Sequence, residues 1–134
     1  MYRNMKLNIL LIDDMRPLVK IMENGLEKFG QNVLTALSGQ EGIEIFLSNP
    51  IDVVICDLGM EGMDGWEVGK AIMKACKQKG ISKTPFVLLT GWGYDQGYQE
   101  RRAASGVDVI IEKPIEIPEL LEILKNVVAE NETV

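Results

Sequence analysis

The stretch Ile51-Asp-Val-Val-Ile-Cys-Asp-Leu-Gly-Met-Glu-Gly-Met-Asp-Gly65 decides the fold, because an apolar run ends in a carboxylate and then breaks into glycines. Val53, Val54, Ile55 and Cys56 show no polar alternation, which is the pattern of a strand buried on both faces of a parallel sheet. In open α/β sheets the ligand crevice lies beyond the carboxyl ends of the strands, so Asp57 is expected where chemistry is placed. A lone strand-terminal Asp is explained equally well as the start of a turn. The other strands separate these two readings.

Toward the N-terminus, Lys6 to Asp14 reads as a strand ending in paired acids. A helix from Arg16 to Phe29 follows, with Leu18, Ile21, Met22, Leu26 and Phe29 as its apolar stripe. Gly30 stops that helix, Gln31 to Ala36 gives a second strand, and Ser38-Gly-Gln-Glu41 fits a capping box opening a helix to about Leu47. Toward the C-terminus, Asp64 caps a helix that Gly65 opens and that runs through Val68, Ile72 and Cys76 to Gly80. Thr84 to Thr90 is a fourth strand, and a loop with three glycines, Gly91 to Gly97, leads into a short polar helix from Tyr98 to Ser105. A fifth strand, Val109 to Pro114, precedes a last helix with Pro118 in its first turn and Leu120, Leu121, Leu124, Val127 and Val128 on its apolar stripe.

Five strands alternating with five helices, joined by right-handed crossovers, predict an α/β fold. Its architecture is a three-layer (βα)5 doubly wound parallel sheet in the flavodoxin-like strand order 2-1-3-4-5. One domain is expected over residues 5–130, with flexible termini at 1–4 and 131–134.

Composition removes several functions. Acidic residues outnumber basic ones by 20 to 14, giving a net charge of −6 and a pI near 4.7, which disfavours direct binding to nucleic acid. The chain has no histidine, so a His-containing zinc site, a Ser-His-Asp triad and a phosphohistidine of its own are all excluded. Any histidine chemistry must come from a partner. Cys56 and Cys76 form no C-x-x-C pair, and reduced thiols are expected. The apolar stretch Leu7 to Ile12 is too short for a signal-peptide core, and no run approaches the roughly 20 apolar residues of a membrane span. A cytoplasmic protein without membrane contact is therefore expected.

The strand ends carry Asp13 and Asp14, Asp57, Thr90 and Lys113. In the predicted order the first and third strands are neighbours, so three carboxylates meet and require a hard divalent cation with oxygen ligands, for which Mg²⁺ is the natural candidate. Phosphoryl transfer fits the remaining groups. Asp57 serves as the nucleophile, Lys113 binds one phosphoryl oxygen, and Thr90 donates its hydroxyl to another.

Together, Ile12-Asp-Asp14, Cys56-Asp57, Gly62-Met-Asp-Gly65, Leu89-Thr-Gly91 and Glu112-Lys-Pro114 resemble a response regulator receiver domain, a phosphoprotein module of two-component and phosphorelay signal transduction. The resemblance covers about Met5 to Val128. It implies that Asp57 is the phosphoacceptor for a phosphohistidine on a sensor histidine kinase or histidine phosphotransfer protein. It also implies that Asp13, Asp14, Asp57 and the backbone carbonyl of Gly59 hold Mg²⁺, that Thr90 and Lys113 read the phosphoryl group, and that Lys113-Pro114 is a cis peptide. The output implied is a switched protein-interaction surface for a downstream target or effector domain, with a homodimer through the last two helices and fifth strand as one arrangement.

On this reading the chain is a signalling switch and not an enzyme, although it takes part in its own phosphoryl transfer. The alternative is a small Mg²⁺-dependent phosphatase with an aspartyl nucleophile, but such enzymes use Asp-x-Asp on the first strand, where this chain has Asp13-Asp14-Met15. Three positions depart from the resemblance. Ile110 stands where an aromatic is usual, Glu61 replaces a proline, and Trp92 is a large side chain two residues after Thr90, either gating the phosphoryl group or packing from the loop onto the helix surface.

Overall fold

A computed structural model describes residues 5–91 and 98–132. The elements follow in strict alternation: β1 (Asn8–Ile12), α1 (Arg16–Lys28), β2 (Asn32–Ala36), α2 (Gly39–Ser48), β3 (Val53–Asp57), α3 (Gly65–Lys79), β4 (Phe86–Thr90), α4 (Tyr98–Ser105), β5 (Val109–Glu112) and α5 (Ile117–Glu132). All strand pairs are parallel and the sheet order is β2-β1-β3-β4-β5, the doubly wound arrangement expected from the alternation.

Every residue of β3 and β4 is buried, because side chains leave both faces of the sheet into separate cores. On one face Ile9, Leu11, Val53, Ile55, Val87 and Leu89 pack with Val19, Met22 and Leu26 of α1 and Leu120, Leu124 and Val128 of α5. On the other, Leu10, Ile12, Val54, Cys56 and Leu88 pack with Phe46 of α2 and Val68, Ile72 and Cys76 of α3. Continuous apolar runs in the central strands thus follow from helices on both sides.

Local chemistry sets the helix ends. Ser38 Oγ accepts the Glu41 N–H at 3.1 Å, while the Glu41 carboxylate reaches back one residue further than a standard capping box, to the Leu37 N–H at 2.7 Å. Asp64 forms the complete box on α3, exchanging bonds with Glu67 at 2.9 and 3.0 Å. Gly80 ends α3 at φ +69°, a left-handed conformation that a Cβ would disfavour.

The stripe of α1 differs from the reading above. Val19, Met22 and Leu26 face the core, while Ile21 and Phe29 are 65% and 52% exposed. Each helical residue advances about 100°, so Ile21, one step before Met22, points away from a stripe centred on Met22. Leu18, Ile21 and Met22 offer overlapping stripes at the same spacing, and only the docked sheet chooses between them.

Candidate functional site

Ile12 of β1 lies level with Cys56 of β3, so the residues one step further, Asp13 and Asp57, emerge side by side at the carboxyl edge of the sheet. On the other side of β3, Asp57 is level with Leu89, and Thr90 of β4 is level with Glu112 of β5. Lys113 follows directly, and its N–H donates to the Thr90 carbonyl at 2.8 Å. The sheet itself therefore brings Asp13, Asp14, Asp57, Thr90 and Lys113 together.

Asp13 is 1% exposed and is held at both ends. Its own N–H donates to the Ala36 carbonyl at 3.1 Å, and its Oδ1 accepts the Met15 N–H at 3.0 Å. Its Oδ2 is buried with no hydrogen-bond partner. Burial raises the Asp13 pKa above the ordinary carboxylate value; the Met15 N–H opposes that rise and the Asp57 charge adds to it. Asp14 is exposed, and its Oδ2 accepts the Glu61 N–H at 3.4 Å. Asp57 is 8% exposed, and its Oδ1 lies 2.6 Å from Lys113 Nζ.

One carboxylate oxygen from each of Asp13, Asp14 and Asp57 lies within 4.8 Å of the others. A single ammonium cannot balance three such charges, whereas a hard cation with oxygen ligands would. The donor set fits Mg²⁺, and the partnerless Asp13 Oδ2 is the atom that supports the fit, since a buried carboxylate oxygen ordinarily finds a donor.

Thr90 is 2% exposed at the end of β4. Lys113-Pro114 is cis, as the resemblance implies. Gly59 lies on the loop after Asp57, with enough space that an added Cβ would meet no atom within 4 Å. Trp92, whose two readings are given above, lies with the rest of 92–97 outside the described residues. Cys56 is a fully buried free cysteine that donates its thiol to the Asp57 carbonyl at 3.3 Å, and burial pushes its pKa well above the usual thiol value.

Sequence reasoning missed the two backbone donors that orient the acids. The Met15 bond was legible in principle, because an Asp accepting from the N–H two residues on is a common local turn. The Glu61 bond joins residues 47 apart, and no local pattern announces it.

The chain matches the family described as response regulator receiver domain over residues 9–125. It is 31% identical over 127 residues to the virulence sensor protein BvgS of Bordetella pertussis, an alignment covering 92% of this chain and 10% of BvgS. The chain thus spans about a tenth of that relative's length. Among solved structures, chemotaxis protein CheY4 of Vibrio cholerae superposes with a TM-score of 0.81 at 27% identity, covering 91% of this chain and 98% of that one. The receiver domain of Ssk1 from Saccharomyces cerevisiae, solved in complex with the histidine phosphotransfer protein Ypd1, shares the fold at a TM-score of 0.81 and 22% identity, covering 94% of this chain and 91% of that one.

Proposed function

The chain belongs to the response regulator receiver domain family, and on that premise we propose that Asp57 accepts a phosphoryl group from the phosphohistidine of a partner, either a sensor histidine kinase or a histidine phosphotransfer protein. The observation that carries this reading is the pairing of Asp57 with Lys113 beside two further carboxylates, one of them with a buried oxygen lacking any donor.

An Asp57 oxygen attacks phosphorus, a bond forms to that oxygen, and the phosphorus–nitrogen bond breaks as the imidazole leaves with its electron pair and takes up a proton. Asp13, Asp14, Asp57 and the Gly59 carbonyl are the residues that would hold Mg²⁺, which when bound supplies positive charge against the phosphoryl oxygens. Lys113 neutralises one Asp57 oxygen before transfer and one phosphoryl oxygen after it. The buried Thr90 hydroxyl donates to another. Because the acyl phosphate carries about −1.5 to −2 charges where the carboxylate carried one, Thr90 and Lys113 gain contacts that exist only in the phosphorylated state.

That difference makes the domain a switch acting on a downstream target or effector domain. The reading includes no turnover of a separate substrate, and a cytoplasmic setting accords with it; among the described residues no helix is long and apolar enough to cross a membrane. The solved complex of a receiver of the same fold with a histidine phosphotransfer protein supports the choice of donor.

The test uses a histidine phosphotransfer protein labelled on its histidine, mixed with this chain and Mg²⁺. Label should leave the donor and appear on Asp57, and Asp57→Asn should receive none. Steady hydrolysis of a generic phosphate ester, with no label retained on the chain, would instead favour the phosphatase.

A further inference from the structure

The loop between Asp57 and α3 is tied to the acid cluster and also wedged against α2. At its base the Leu58 N–H donates to the Leu89 carbonyl at 2.8 Å and the Gly65 N–H donates to the Leu58 carbonyl at 3.0 Å, leaving residues 59–63, between these ties and the Asp64 cap of α3, as the span that can shift. In the middle of the span the Glu61 N–H reaches Asp14, and Gly62 turns the chain at φ +78°. Further along, Met63 abuts the first turn of α2. A Cβ on Gly39 would lie 2.8 Å from Met63 Sδ, 3.2 Å from Met63 Cβ and 2.8 Å from Val68 Cγ2.

Met63 fills this space with its whole side chain, from Cβ to the sulfur, so the position of residue 63 and the bulk beyond its Cβ together set how closely the first turn of α2 can seat. The bonds of that turn include the Glu41 N–H to Ser38 Oγ, the Gly42 N–H to the Ser38 carbonyl at 3.0 Å, and the Leu37 N–H to the Glu41 carboxylate.

We propose that Met63, seated in the notch at Gly39, transmits the state of the Asp14–Asp57 cluster to the first turn of α2, so that a second responsive surface lies on the α2 side of the domain. The inference rests on the phosphoacceptor reading above. When Asp14 turns to a cation and Asp57 carries a phosphoryl group, the Glu61 amide loses its present acceptor, the span is drawn toward the site, and Met63 withdraws from Gly39. The first turn of α2 then opens more readily.

The experiment measures amide hydrogen exchange at Leu37, Glu41 and Gly42 in the whole chain, first in EDTA and then with Mg²⁺ plus beryllofluoride as the phosphoryl mimic. Parallel intact-mass measurement with acetyl phosphate reports the Asp57 adduct. In the parent these amides should exchange about fivefold faster with the mimic, and in Met63→Ala the change should fall below about twofold. Met63→Leu should restore most of the response. The Asp57 adduct should form alike in all three, because Met63 touches none of the reacting groups. If the adduct forms but the parent amides are unchanged or slowed, or if Met63→Ala responds like the parent, the coupling is wrong while the phosphoacceptor reading stands. If no adduct forms on Asp57, both fall.

Discussion

Lys113 Nζ lies 2.6 Å from Asp57 Oδ1, joining residues 56 apart in sequence across the ends of β5 and β3. Neither side chain is free to drift, since Lys113 is anchored by its own amide to the Thr90 carbonyl and Asp57 closes a strand buried along its whole length. The contact places one cation against the one carboxylate of the cluster best placed to react. It also defines what each neighbouring group must do when that carboxylate changes charge.

Removing the ammonium should therefore separate metal binding from response. Lys113→Ala takes a positive charge away from the cation's neighbourhood and should tighten Mg²⁺ binding by about three- to tenfold, as expected for a unit charge removed at close range in a partly solvated pocket. The same variant, and Thr90→Ala, should lose most of the chemical-shift response of residues 98–105 to beryllofluoride. Titration of Mg²⁺ and the spectra of α4 check the two halves; unchanged affinity together with a full response would remove Lys113 from the site.

Asp13 links the site to stability. Its carboxyl holds a proton in the folded chain at pH values where the unfolded chain, near the ordinary 3.8, has already released one, chiefly because Asp13 is buried. Without divalent cation, stability should fall as pH rises from that value through the raised folded value, the penalty growing until the folded carboxyl has also lost its proton. Asp13→Asn should then raise the thermal midpoint in EDTA at pH 7 by a few degrees, with the gain gone at pH 3.5, while abolishing stabilisation by Mg²⁺. Thermal unfolding at the two pH values checks it; a variant less stable than the parent in EDTA at pH 7 would contradict it.

Gly65 sets the distance between α3 and the backbone of Asp57. A Cβ there would overlap Leu88 Cδ2 and lie 2.9 Å from both the Asp57 carbonyl oxygen and Leu58 Cα, so Gly65→Ala must push the backbone that carries Asp57. The expected result is a loss of about 1–3 kcal/mol in stability, typical of overpacking. Phosphorylation should also slow about tenfold, a barrier increase of roughly 1.4 kcal/mol. Denaturant unfolding and adduct formation with a small donor measure the two effects. A stability loss without slower phosphorylation would make Gly65 a packing residue only.

The stripe of α1 predicts a contrast between two aliphatic residues. Leu26, fully buried, should cost about 2–5 kcal/mol when cut to Ala, whereas Ile21, 65% exposed, should change stability by no more than about 0.5 kcal/mol. Equilibrium unfolding in urea checks both; similar costs at the two positions would mean that α1 is docked through a different face.

Strand order, the placement of the acids and the approach of Lys113 were legible because they depend on the ends of buried strands, where apolar runs such as Val53 to Cys56 stop abruptly at a polar residue. The α1 stripe was not, because Val19 and Ile21 are similar in hydrophobicity and only packing against the sheet tells them apart. The amide of Glu61 and the Met63–Gly39 notch were hidden for another reason. Backbone donors carry no residue-type signature, and a close approach between a loop and a helix leaves only a glycine behind as its trace.

The central claim is that Asp57 is the residue that changes chemically, and intact-mass analysis after incubation with acetyl phosphate and Mg²⁺ tests it most directly. The account predicts one added phosphoryl group on the parent chain, no addition in EDTA and none on Asp57→Asn. A phosphoryl adduct of equal yield on Asp57→Asn, or no adduct on a folded parent chain with Mg²⁺ saturating, would contradict it.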